Sequence, residues 1–89
     1  MKAYLQRVNP ENQSVWFYSI QIQQDLLGHW QVVRNWGSFG AGGTMKQTPF
    51  DTMDKALTFM ERLRNELVRK GYKVVMQEGF SAHRANPSS

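Results

Sequence analysis

The sequence predicts an α+β domain: a mostly antiparallel sheet of four or five strands, with one long helix packed on one face and inserted before the last strand. Three observations predict it. Between Tyr4 and Thr48, segments rich in β-branched and aromatic residues recur between clusters of turn residues. A single run of apolar residues at helical spacing follows: Met53, Ala56, Leu57, Met60, Leu63 and Leu67. The chain has only 89 residues, room for one domain with one core.

Taken in order, Tyr4 to Val8 alternates weakly and reads as a first strand. Asn9-Pro10-Glu11-Asn12-Gln13-Ser14 is turn chemistry. Val15 to Gln23 reads as a strand, with Trp16, Tyr18, Ile20 and Ile22 on one face and Val15 and Phe17 on the other. Asp25-Leu26-Leu27-Gly28 reads as the tight connection of a hairpin. His29 to Trp36 returns, with Trp30, Val32, Arg34 and Trp36 sharing a face. Gly37 to Gly43 then holds four glycines in seven residues, and Thr44 to Thr48 reads as a short strand broken by Pro49.

The helix is expected over about residues 52 to 70. Asp51 or Thr52 caps it, Asp54 suits its N-terminal dipole, and Gly71 after Arg69-Lys70 ends it. Met53, Leu57, Met60, Leu63 and Leu67 should face the sheet. Arg64 falls inside the apolar arc and should snorkel or pair at a sheet edge. Tyr72 to Met76 reads as the last strand. Residues 1–76 form the expected domain and 77–89 a flexible C-terminal tail. One helix covers only one sheet face, yet aromatics fall on both faces of the second strand. Aromatic surface on the uncovered face or at the strand ends should therefore remain accessible, and such surface tends to mark an interaction site.

Composition narrows the function. Hydrophobic residues make up 40% and aromatics 12%, too many for a disordered chain. The absence of Cys excludes disulfides, thiolate metal sites and Cys nucleophiles. No apolar run reaches the ~18 residues of a membrane span, and residues 1–7 lack the apolar stretch of a signal peptide, so a cytoplasmic protein is expected. A net charge of +4 and a pI near 9.8 suit an anionic partner.

The glycine segment, Gly37-Ser38-Phe39-Gly40-Ala41-Gly42-Gly43-Thr44, nearly matches the phosphate-cradling pattern of nucleotide hydrolases. It fails because Gly43 holds the lysine position and a strand follows instead of a helix. The dinucleotide pattern fails at Met45. The simpler reading is that these glycines form bulges and a turn between strands. His29 and His83 are isolated, and no acid–base pair or nucleophile–base set emerges. No catalytic residue, metal or cofactor is expected.

Several segments together resemble the WGR domain: Phe17-Tyr18-Ser19-Ile20-Gln21-Ile22, then His29-Trp30-Gln31-Val32-Val33-Arg34-Asn35-Trp36-Gly37, Phe39-Gly40, the helix with Ala56, Phe59 and Leu63, and Lys70-Gly71-Tyr72. The resemblance covers about residues 2 to 76. That domain occurs in DNA-damage-dependent poly(ADP-ribose) polymerases and in small bacterial proteins. It implies an antiparallel sheet with a helix before the last strand. It also implies a Trp that packs at the end of a DNA strand and an Arg that joins DNA, domain and neighbours. Trp36-Gly37 matches the name-giving motif, but Ser38 stands where the family has Arg.

The candidate nucleic-acid site is thus Trp36, Gly37, Ser38, Arg34, Gly40 and Lys46. Trp36 beside a glycine loop can stack on a base or sugar, while glycine backbone admits a phosphate closely. Equally, Trp36 can be core, with Arg34 a solvated edge charge. A weaker candidate is the helix line Lys55, Arg62 and Arg69, which share one side away from the apolar stripe and most simply form a solvated face. Two functions follow. One is a non-catalytic nucleic-acid-binding module, for DNA ends or breaks. The other is a protein-interaction or self-association module that uses the uncovered aromatic sheet face for a partner or a homodimer. No membrane partner is expected.

Overall fold

The computed structural model describes residues 1–79. Five strands and one helix follow in the order β1 (Lys2–Val8), β2 (Val15–Gln24), β3 (Trp30–Ser38), β4 (Gly43–Phe50), α1 (Met53–Arg69) and β5 (Lys73–Glu78). The sheet order is β4-β3-β2-β1-β5 and every neighbouring pair is antiparallel. The first four strands are a meander. The helix then carries the chain across the sheet, so that β5 pairs with β1 on the far edge. This is the expected α+β arrangement.

Strand alternation sorts the side chains. Ala3, Leu5, Tyr18, Ile20, Ile22 and Val32 point to the helix side and are buried against Ala56, Leu57, Met60 and Leu67. Leu5, Ile20, Val32 and Met60 are the bulkiest of those wholly shielded from solvent. Met53 and Leu63 flank this stripe, half-buried. The helix starts where expected: the Thr52 hydroxyl accepts a hydrogen bond from the Lys55 N–H at 3.2 Å, and Asp54 lies in the first turn. It ends in a Schellman motif, with the Gly71 N–H on the Val68 carbonyl at 3.1 Å and the Tyr72 N–H on the Leu67 carbonyl at 3.0 Å. Gly71 takes the left-handed conformation (φ 100°) that this ending needs. Arg64 reaches the sheet edge, where its Nη1 donates to Oε1 of Gln77 on β5 at 3.1 Å.

Two expectations need correction. Pro49 does not break the fourth strand, which runs through it to Phe50. β4 is an edge strand, so a proline there can turn the side without an N–H to solvent and the ladder to β3 survives. The last strand begins at Lys73 and runs to Glu78, two residues past the expected boundary, and includes a register shift opposite Tyr4 and Leu5. From residue 80 onward the expected tail, with His83, lies outside the described residues.

The β2–β3 hairpin closes on one side chain. Asp25 Oδ1 accepts from the N–H groups of His29 (2.8 Å) and Leu27 (2.9 Å), and Oδ2 lies 3.4 Å from His29 Nδ1. The backbone hydrogen bond from His29 holds the carboxyl below the ordinary aspartate value of 3.8. A depressed value means stability that is present above the ordinary value and is lost as pH falls below it. Asp25→Ala is therefore expected to lower the thermal midpoint at pH 7, and by less at pH 3. An equal loss at both values would show that the carboxylate charge plays no part.

Candidate nucleic-acid interface

On the helix side, toward the β3–β4 loop, aromatic and cationic side chains interleave. Trp36 stacks on Tyr18, its register partner on β2, with ring centres 5.3 Å apart and planes at 9°. Its other neighbour across the sheet is Thr44 of β4, small and exposed. One face of the indole is thus taken by Tyr18, and Thr44 leaves room beside the ring toward the sheet edge. Trp36 packs against the core and is half-buried, so its ring is neither fully core nor fully exposed.

Arg34 lies two residues back on the same face. Its guanidinium carbon is 5.4 Å from the centre of the Trp36 ring and 5.5 Å from that of Phe59 on the helix. Nη1 donates to the Tyr18 hydroxyl at 3.2 Å, while Nε is shielded from solvent with no hydrogen-bond partner. Arg34 is no solvated edge charge. The rings on either side fix it, and they in turn gain a cation over their negative faces. A similar pair sits where the helix ends, with Arg7 over the Tyr72 ring at 5.5 Å and its Nε also unpartnered.

The register between β3 and β4 places Lys46 directly opposite Arg34. Like charges facing each other across strands are destabilising. Neither cation belongs to the ion pairs His29–Asp25, Lys55–Asp51 and Lys70–Glu66. Two cations beside a half-buried tryptophan make a site suited to a phosphate next to a base or sugar.

The loop after Trp36 is held tightly. Ser38 to Ala41 is a turn closed by Ala41 N–H on the Ser38 carbonyl at 3.2 Å, with Gly40 at φ 85° in its third place. Gly37 and Gly43 pair across its base. A Cβ on Gly37 would lie 2.7 Å from the Gly42 carbonyl oxygen and 3.0 Å from the Gly43 Cα. The glycines therefore let the two chain segments touch, which matches the turn reading. Ser38 lies on the helix side opposite Trp16, which is itself 37% exposed at the sheet end.

The candidate residues do not all converge. Arg34, Trp36, Ser38 and Lys46 share one face at one corner, and Gly40 caps the adjoining turn. Gly37 alternates to the other face, where it supports backbone approach rather than presenting a group. On the helix, Lys55 and Arg62 line an open hollow with Phe50, Asp54, Thr58 and Phe59, on the helix edge that faces β4. Lys55 is ion-paired to Asp51 at 3.6 Å and so contributes less free charge. Arg69 belongs to the last helical turn, at the other end of the helix. Phe59, which clamps Arg34, enters the sequence reading only through the family resemblance and not as a site residue, because it lies at the margin of the apolar arc. Among the described residues no group of three or more His, Asp or Glu is placed to hold a metal ion, and no helix is long and apolar enough to cross a membrane.

The model of the WGR domain family matches residues 1–79 of the chain. The chain is also 25% identical over 72 residues to "Uncharacterized protein y4dW" of Sinorhizobium fredii; the match covers 81% of this chain and 35% of that protein, so the chain spans about a third of its relative's length. No solved structure matches the chain.

Proposed function

The chain belongs to the WGR family, a family of nucleic-acid-binding domains, and from that premise we propose that it binds DNA ends or breaks without catalysis, through Trp36 and the cations beside it. The observation that carries this reading is the Arg34–Lys46 opposition beside the half-buried Trp36 ring. An arrangement that weakens the free protein is relieved when a phosphate lies between the two cations. Trp36 supplies stacking on the terminal base or sugar, Arg34 and Lys46 supply phosphate charge, and Arg62 lies along the helix edge that faces the same strand. The family's Arg is absent at Ser38, so one charge-assisted contact is missing.

The test is a fluorescence-anisotropy titration of a blunt DNA hairpin at two salt concentrations. Lys46→Ala should weaken binding and reduce the salt slope by about one unit. The same substitution removes a like-charge pair, so the thermal midpoint should hold or rise slightly. Unchanged affinity in a folded Lys46→Ala protein would overturn the assignment. Ser38→Arg should tighten binding, chiefly at low salt, and steepen the slope by about one unit. If it leaves both unchanged, the Ser38 position does not adjoin the bound phosphates.

A further inference from the structure

The opposite sheet face carries its own row of rings. Tyr4 of β1, Phe17 of β2 and Phe39 of the β3–β4 turn stack in a row, with ring centres 6.5 and 5.8 Å apart and planes inclined by only 19° and 24°. Each is held in place. Gln6 Nε2 donates to the Tyr4 hydroxyl at 3.3 Å. The Phe17 ring lies against the backbone of the glycine pair: a Cβ on Gly37 would be 3.5 Å from its Cε1, and one on Gly43 would be 3.2 Å from its Cζ. Phe39 is 56% exposed, yet its N–H is fixed to the Val15 carbonyl at 3.0 Å. Among the described residues no helix covers this face.

We propose that this row is a stacking platform for the bases of single-stranded DNA, continuous around the Gly37–Gly43 corner with the Trp36 site. The choice of DNA rests on the reading of that site; the platform itself rests on the rings. Two features favour this occupant. Aromatic faces accept any base, so a row of near-parallel rings ending in the exposed Phe39 suits an unpaired strand. By strand alternation the face also carries Ser19, Gln21, Gln23, Gln31, Asn35 and Gln47, whose hydroxyl and amide groups can bond base edges. Among the described residues its charged groups are Lys2, Lys73 and Glu78, and Glu78, the one carboxylate there, stands opposite Lys2 at the β1–β5 edge. A second copy packed on this face would bury those amides without assured partners, which is costly.

The experiment compares three fluorescent probes on the full chain: a blunt hairpin, the same hairpin with an eight-thymidine overhang, and a free twelve-thymidine strand. The overhang should tighten binding over the blunt hairpin by about 5- to 100-fold. Phe39→Ala should abolish that gain and weaken binding of the free strand by a similar factor, while blunt-hairpin affinity stays within about twofold; Phe39→Tyr should restore both. Tyr4→Leu is the second variant and should act in the same direction. An overhang without effect, or a Phe39→Ala protein that keeps the gain, overturns the platform. Failure of the blunt hairpin to bind while the free strand binds overturns the Trp36 reading and leaves the platform standing. A dimer in sedimentation that dissociates in Phe39→Ala would show that a second copy occupies the face, and would overturn the proposal.

Discussion

Gly37→Ala is expected to cost about 2–3 kcal/mol of unfolding free energy, read as a lowered midpoint in urea or thermal melts. The added methyl meets backbone, the Gly42 oxygen at 2.7 Å and the Gly43 Cα at 3.0 Å, and backbone cannot rotate away as a side-chain tip can. Relief requires the two segments at the loop base to part, which breaks the Gly37–Gly43 pairing and shifts Phe17, whose ring rests on both. A domain of this size holds only about 4–12 kcal/mol in total, so the loss is a large share. Gly40→Ala is the contrast. Its Cβ would meet nothing within 4 Å, and the left-handed φ of 85° alone should cost about 1–2 kcal/mol. If Gly37→Ala melts with wild type, the close approach at the loop base is wrong.

Trp36→Ala should be destabilising and also impair binding. The ring packs on Tyr18, carries Arg34 at 5.4 Å and is half-buried, so truncation should cost about 2–3 kcal/mol, below the range for a fully buried Trp. It also strands Arg34, which keeps only Phe59 and the Tyr18 hydroxyl as neighbours in this cluster. Binding of a blunt hairpin should weaken by about 5- to 100-fold, measured well below the lowered melting point. Trp36→Phe separates the two effects, because a phenyl ring still covers Tyr18 but offers less area to a base. It should recover most of the stability and only part of the affinity. Full affinity in a folded Trp36→Ala protein would remove Trp36 from the interface.

Most of the architecture was legible from residues, because alternation and the 3.6-residue stripe are local signals. Ile20 and Ile22 opposite Gln21 and Gln23 fix the buried face of β2, and Met53 through Leu67 fix that of the helix. Pro49 was misjudged because the rule against proline in strands applies to paired N–H groups, and only the sheet order reveals that β4 is an edge. The site was legible in part. Trp36, Arg34 and Lys46 were singled out one by one, but their meaning lies in register. That Lys46 faces Arg34 depends on how many residues the Ser38–Ala41 turn consumes. The opposite-face row is less legible still, since Tyr4 meets Phe17 only through the pairing of β1 with β2, and Phe39 joins them from a turn.

The crossover made by the helix also sets a timetable for synthesis. β1 has β2 as an early neighbour, but its other partner begins at Lys73, 65 positions after Val8. At about 5–20 residues per second, a ribosome needs roughly 3–13 s to supply it. Throughout that interval the nascent meander carries an unpaired β1 margin, with Leu5 next to it and no helix yet complete to shield the inner face. A polypeptide cut short of Lys73 would keep the β1 backbone groups unpaired that β5 otherwise covers, and would lack the Gln77 partner that ties Arg64 of the helix to the sheet edge.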